Sequence, residues 1–173
     1  MDISNGEGVG VALFVQGCHF HCTNCFNPDT WDFSGGKEWT PEVEDKLIEL
    51  ANRPYIKRLS ILGGEPLADE NLDGVLHLVN RFRLSFPNKS IWIYSGYTWN
   101  QVMYPVITDD FNPSRDELLH KRKEIVKQCT VMVDGRYIDS QRNPSKKWAG
   151  SDNQRVISIQ ESIKQGRVVL YCD

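Results

Sequence analysis

Cys18, Cys22 and Cys25 stand in one short segment with C-x3-C-x2-C spacing, directly after the apolar run 11–15. Iron–sulfur clusters are held by cysteine thiolates, usually four for a cubane. Three thiolates with no fourth cysteine nearby leave one iron open to a ligand that reacts. The spacing therefore points to catalysis more than to electron storage. Structural zinc is the other reading of the same residues. It takes four Cys or His ligands, and His19 and His21 allow a Cys3His set to be written. Zinc sites usually join two short clusters, whereas Cys129 and Cys172 are isolated.

A second chemical segment is Gly63-Gly64-Glu65-Pro66. Paired glycines let a ligand approach backbone closely. Glu65 can accept a charge-assisted hydrogen bond from an ammonium group. Ser95-Gly96-Tyr97 and Asp134-Gly135 form two further polar, glycine-bearing segments.

These segments need elements to position them. Strands are expected over 11–16, 58–62, 91–94, 130–133, 156–159 and 168–171, from short apolar runs ended by turn residues. A helix is expected over 40–52, with Thr40 as cap, Pro41 in the first turn, and Val43, Leu47, Ile48 and Leu50 as its apolar face. A second spans 72–86, with Leu72, Val75, Leu76, Val79 and Phe82 at helical spacing. A third spans 114–128, with Ser114 and Glu117 matching a capping box. Residues 161–164 read as a helical turn. Residues 98–112 are rich in Asp, Asn and Pro and are expected to contain a loop. Alternating strands and helices imply βαβ units and a parallel sheet. The chain has 173 residues, short of the ~250 of a complete eight-fold barrel. The fold class is therefore α/β, a partial, open (β/α) barrel of mostly parallel strands in a single domain over 1–173. Ligands bind at the carboxyl ends of such strands, which is where the cysteine loop and the glycine segments fall.

Composition narrows the function. The apolar fraction is 40%, the charged fraction 25% and the net charge -3, so no global charge favours nucleic acid or an anionic membrane. No apolar run approaches the ~20 residues of a membrane helix. Five cysteines, three of them clustered, suit a metal site in a reducing compartment better than a disulfide framework. A cytoplasmic location and an anaerobic setting follow as expectations.

With the three-cysteine loop and a Gly-Gly-Glu segment ending the next strand, the chain resembles the radical S-adenosylmethionine superfamily. The resemblance implies a [4Fe–4S] cluster on Cys18, Cys22 and Cys25. It implies S-adenosyl-L-methionine on the open iron, with its amino group at Gly63, Gly64 and Glu65. Phe26, Asn27 and Ser95 are carried over as cofactor contacts, and Asp134 as a contact beside the cofactor carboxylate through a monovalent cation. A turn-forming Asp is the other reading of Asp134.

A narrower resemblance covers nearly the whole chain. Asn5-Gly6-Glu7-Gly8, Cys25-Phe26-Asn27-Pro28, Thr30-Trp31, Ser95-Gly96-Tyr97, Val133-Asp134-Gly135 and 150–155 (Gly-Ser-Asp-Asn-Gln-Arg) look like the activating proteins of anaerobic ribonucleoside-triphosphate reductases. That family implies the glycyl-radical subunit of such a reductase as partner and a low-potential electron donor such as flavodoxin or ferredoxin. Its radical chemistry needs no side-chain acid or base: the reduced cluster cleaves S-adenosylmethionine, and the 5′-deoxyadenosyl radical takes hydrogen from a partner glycine. Ala149 stands where the family commonly has arginine. Asn153, Gln154 and Arg155 either position cofactor or partner or lock a loop. Trp31 and Trp39 read as packing, and Cys129 and Cys172 as unliganded. The competing readings are a radical enzyme on a small molecule, similar to 7-carboxy-7-deazaguanine synthase, and a zinc module without catalysis. Residues 150–155 argue against the first.

Overall fold

The computed structural model describes residues 1–106 and 112–172. Its centre is a five-stranded sheet in sequential order: β1 (Gly10–Val15), β2 (Arg58–Gly63), β3 (Ser90–Ser95), β4 (Val131–Asp134) and β5 (Arg155–Ser158). The first four are parallel, and β5 runs antiparallel to β4. The helices are α1 (Pro41–Ala51), α2 (Leu72–Ser85), α3 (Trp99–Met103), α4 (Pro113–Gln128) and α5 (Ile159–Gln165). This is the open, partial α/β barrel expected from the sequence.

Side chains alternate across each strand, and the two faces differ. Leu59, Ile61, Ile91, Ile93, Met132 and Ile157 join Leu47, Val75, Val79, Phe82 and Ile125 from the helices in the main core. Trp92, Val131, Val133 and Val156 point the other way, with Tyr94, Trp148 and Cys172 packed on them. Helices thus cover one face, and the other is left for a ligand.

Local signals account for most element ends. Thr40 caps α1 by accepting from the Val43 N–H. The buried residues of α1 are Glu44, Leu47 and Ala51, while the expected Val43 is exposed. Glu44 replaces it inward because His77, Arg81 and Trp39 all reach its carboxylate. Two expectations are corrected, and a third segment gains a short helix beside its loop. The cap of α4 is Asn112, which accepts from the Arg115 N–H at 3.1 Å, not Ser114. Pro113 occupies the first turn, so the cap lies one residue before it. The stretch 98–112 contains α3, started by a capping box between Thr98 and Gln101; residues 107–111 lie outside the described residues. The segment 168–171 forms one bridge, Ile157 to Leu170, instead of a strand. It stays beside β5 through bonds from the Ser158 N–H to Val169 O at 2.9 Å and from the Tyr171 N–H to Val156 O at 2.7 Å, and Tyr171 packs edge-on against Trp92.

Candidate active site

The cysteine loop leaves β1 and returns beside it. The Gly17 N–H donates to Thr30 O at 2.8 Å and the Cys18 N–H to Trp31 O at 3.1 Å. Inside the loop the Cys25 N–H donates to Cys22 O at 3.1 Å. His21 and Asn24 take left-handed backbone angles, φ 44° and 54°, bends that bring three cysteines onto one wall. Asn tolerates that region well, and Asn24 is anchored by a 3.0 Å bond to Asp139.

All three cysteines line one cavity of about 860 Å³, together with Gly63, Gly64, Glu65 and Ser95. The Asn27 N–H donates to Cys25 Sγ at 3.4 Å. Burial pushes the Cys18 and Cys22 thiols above their ordinary values. They ionise when a metal takes the sulfur. Among the described residues no three His, Cys, Asp or Glu side chains are drawn together to grip a single ion. The histidine rings of the loop are engaged elsewhere. His19 pairs with Glu70 at 2.9 Å and packs on Phe33, and His21 stacks on Trp31. A roomy cavity lined by three cysteines, with a backbone N–H on one of the sulfurs, fits an iron–sulfur cluster.

The glycine segment is built into the cysteine loop. The Gly64 N–H donates to Val15 O at 2.8 Å, and the Glu65 N–H to Gly17 O at 2.7 Å. Gly63 has φ +106°, and a Cβ on Gly64 would stand 2.4 Å from Gly17 O. Side chains at these positions would force the two loops apart.

Glu65 is only 2% exposed. Its Oε1 accepts from the Leu67 N–H at 2.8 Å and Ser95 Oγ at 2.7 Å, and its Oε2 from the Gly96 N–H at 2.7 Å. Burial pushes its carboxyl up to about 7 against these donors. Glu65 therefore ties the end of β2 to the end of β3, and Ser95 is part of that tie. Asn27 lines the cavity and its carbonyl accepts from Thr30 Oγ1 at 2.7 Å. Phe26 lines the cavity with 92% of its surface exposed.

Asp134, the expected cation contact, is engaged by other partners. Alternation places it on the helix side of β4 with Met132, away from Val131 and Val133. Its carboxylate, 1% exposed, accepts from Arg155 Nε at 3.0 Å, Arg155 Nη2 at 2.5 Å and the Trp99 N–H at 2.7 Å. An arginine already neutralises it, and it does not line the cavity. The 150–155 segment bonds within itself and to the neighbouring turn, while Gly150 and Gln154 also line the cavity. Gln154 accepts from the Gly150 N–H at 2.9 Å and donates to Gly135 O at 2.9 Å. Asn153 donates to Arg136 O at 2.8 Å. The segment's most distinctive residues thus clamp the Asp134-Gly135 turn.

Phe20, Arg136 and Arg142, none of them singled out from the sequence, also line the cavity, as does Trp31, which read as packing. Phe20 lies between two of the cysteines and Arg136 follows Gly135, so adjacency to a motif was the available signal.

An open parallel α/β sheet carrying a three-cysteine loop defines an iron–sulfur domain with one cluster. The family model that matches, over residues 4–157, is described as a 4Fe-4S single cluster domain. The chain is 37% identical over 156 residues to the anaerobic ribonucleoside-triphosphate reductase-activating protein of Vibrio cholerae, covering 89% of this chain and 90% of that one. It is 36% identical to the protein of the same name from Escherichia coli K12, covering 90% and 92%. The one from Enterobacteria phage T4 is 32% identical, covering 94% and 92%. The chain belongs to this family of anaerobic ribonucleoside-triphosphate reductase-activating proteins. No solved structure is a significant match. Among the described residues no helix is long and apolar enough to cross a membrane.

Proposed function

We propose that the chain activates an anaerobic ribonucleoside-triphosphate reductase by generating a radical on a partner glycine, in the cytoplasm of an anaerobically growing cell. The observation that carries this is the shared cavity: Cys18, Cys22 and Cys25 line it beside Gly64 and Glu65. Cys18, Cys22 and Cys25 would hold a [4Fe–4S] cluster. When bound and reduced by a low-potential flavodoxin or ferredoxin, that cluster supplies the electron that cleaves S-adenosylmethionine and yields the hydrogen-abstracting 5′-deoxyadenosyl group.

The chain's own residues bind and orient. Gly63 and Gly64 offer bare backbone to the methionine end of the cofactor. Glu65 fixes that backbone through Leu67, Ser95 and Gly96; its carboxylate reaches the amino group only if one of these donors yields. Phe26 and Asn27, next to Cys25, are placed to contact the cofactor or the entering peptide. Asp134, bonded to the Trp99 N–H of α3 and to Arg155, would act indirectly by holding those two in place. The open face admits a peptide loop, and no side-chain acid or base is required.

Anaerobic reconstitution with iron and sulfide tests the cofactor reading. A brown protein that releases 5′-deoxyadenosine on reduction with S-adenosylmethionine supports it. A colourless protein that takes up only zinc overturns it.

A further inference from the structure

Four side chains form a stack that passes beneath the cysteine loop. The Arg122 guanidinium of α4 lies 4.7 Å from the centre of the Tyr97 ring. Tyr97 meets Phe20 edge-on at 5.0 Å. The Arg136 guanidinium covers Phe20 at 4.2 Å. Arg122 is held in turn by Leu67 O at 2.9 Å, the Tyr97 hydroxyl at 3.2 Å and Asp69. The backbone is shaped for the stack, since a Cβ on Gly96 would stand 2.3 Å from the Phe20 ring.

The two cations differ in their partners. Arg122 has Asp69. Arg136 lines the cavity with the three cysteines, and no ion pair joins it to a carboxylate among the described residues. Glu65 is enclosed by its three donors. Asp139, also on the cavity wall, accepts from the Tyr137 hydroxyl and the Asn24 amide, and Arg142 is a second cation on that wall. Arg136 is the cavity cation that is held against a ring of the cysteine loop.

We propose that Arg136, held on the face of Phe20 by the Tyr97–Arg122 stack, is a positioning residue whose charge favours the reduced state of the cluster. This rests on the cofactor reading above. Three thiolates on a [4Fe–4S]2+ core carry a net charge of -1, and one electron from a low-potential donor makes it -2. A fixed positive charge nearby attracts the reduced form more, and the attraction strengthens as ligands exclude water.

The test is an EPR-monitored redox titration of the reconstituted full chain at low ionic strength, with iron content measured in parallel. Arg136→Gln is expected to shift the reduction equilibrium about tenfold against the reduced cluster, which is about 59 mV for one electron. Arg136→Lys is expected to restore most of the shift. Phe20→Leu, which frees the arginine, is expected to move the potential the same way by less. Added salt should shrink the wild-type difference from Arg136→Gln. An unchanged potential in Arg136→Gln at full iron content overturns the proposal. So does an equal shift in Arg136→Lys, which would mean packing and not charge. Weaker S-adenosylmethionine binding at unchanged potential also overturns it and makes Arg136 a carboxylate contact. If wild-type chain holds no cluster, the cofactor reading fails first, and the iron assay shows that separately.

Discussion

Gly64→Ala is the sharpest probe of how the site is assembled. The new Cβ would lie 2.4 Å from Gly17 O, 2.9 Å from Gly17 C and 2.9 Å from Thr30 O. All three are backbone atoms, so no side chain can swing aside. Relief requires the glycine segment to withdraw from the cysteine loop by roughly 1 Å, since ordinary carbon contacts lie near 3.5 Å. The bond from the Glu65 N–H to Gly17 O, 2.7 Å, lies directly in the way. Overpacking costs about 1–3 kcal/mol and a strained hydrogen bond about 1 kcal/mol more. The sum is about 2–4 kcal/mol. Gly74→Ala is the control, because nothing stands within 4 Å of its Cβ and it lies in α2. It should stabilise by about 0.5–1 kcal/mol. Urea unfolding of both apo variants measures the difference, and iron uptake on reconstitution reports the loop. Gly64→Ala with wild-type stability and full iron would refute the close approach of the two loops.

Cys22→Ala should abolish S-adenosylmethionine cleavage while leaving the urea midpoint unchanged, because Cys22 lies on a half-buried loop outside the core; retained cleavage would remove it from the cluster. Glu65 should make stability depend on pH. Its folded value of about 7 exceeds the ordinary 4.5, so its contribution is full below pH 4.5 and lost as pH rises through about 7. The loss is roughly 3 kcal/mol at 1.36 kcal/mol per unit. Glu65→Gln cannot titrate, so its stability deficit against wild type should shrink by that amount between about pH 5 and about pH 8; a gap independent of pH would show the carboxylate ionised throughout. Asp134→Ala should cost about 2–3 kcal/mol by orphaning Arg155 and the Trp99 N–H. Cofactor affinity per folded molecule should hold, and a selective loss of affinity would return Asp134 to the cofactor.

The elements legible in the sequence were those with local causes. Apolar runs ending in glycine marked β1 to β4, and Thr40 with Pro41 marked α1. The cysteine spacing and Gly63-Gly64 lay in the chain as written, and the fold brings them into one cavity. What the sequence could not show depends on partners distant along the chain. Glu65 looked like a free carboxylate because its donors Ser95 and Gly96 come from the next strand. Asp134 looked like a ligand because its side of β4 is set by pairing, and Arg155 arrives from β5. Gln154 bonds Gly150 and Gly135, partners that its sequence neighbourhood does not reveal, and it also lines the cavity. The 168–171 segment does pair with β5, but only over one bridge and its two flanking hydrogen bonds, too short a ladder to make a strand.

The most direct measurement mixes the reconstituted, reduced chain with S-adenosylmethionine and an anaerobic ribonucleoside-triphosphate reductase, and reads the reductase by EPR. The account predicts a glycyl-radical doublet on the reductase that appears with 5′-deoxyadenosine and vanishes in Cys22→Ala. Formation of 5′-deoxyadenosine with no radical on the reductase would contradict the assignment of its partner.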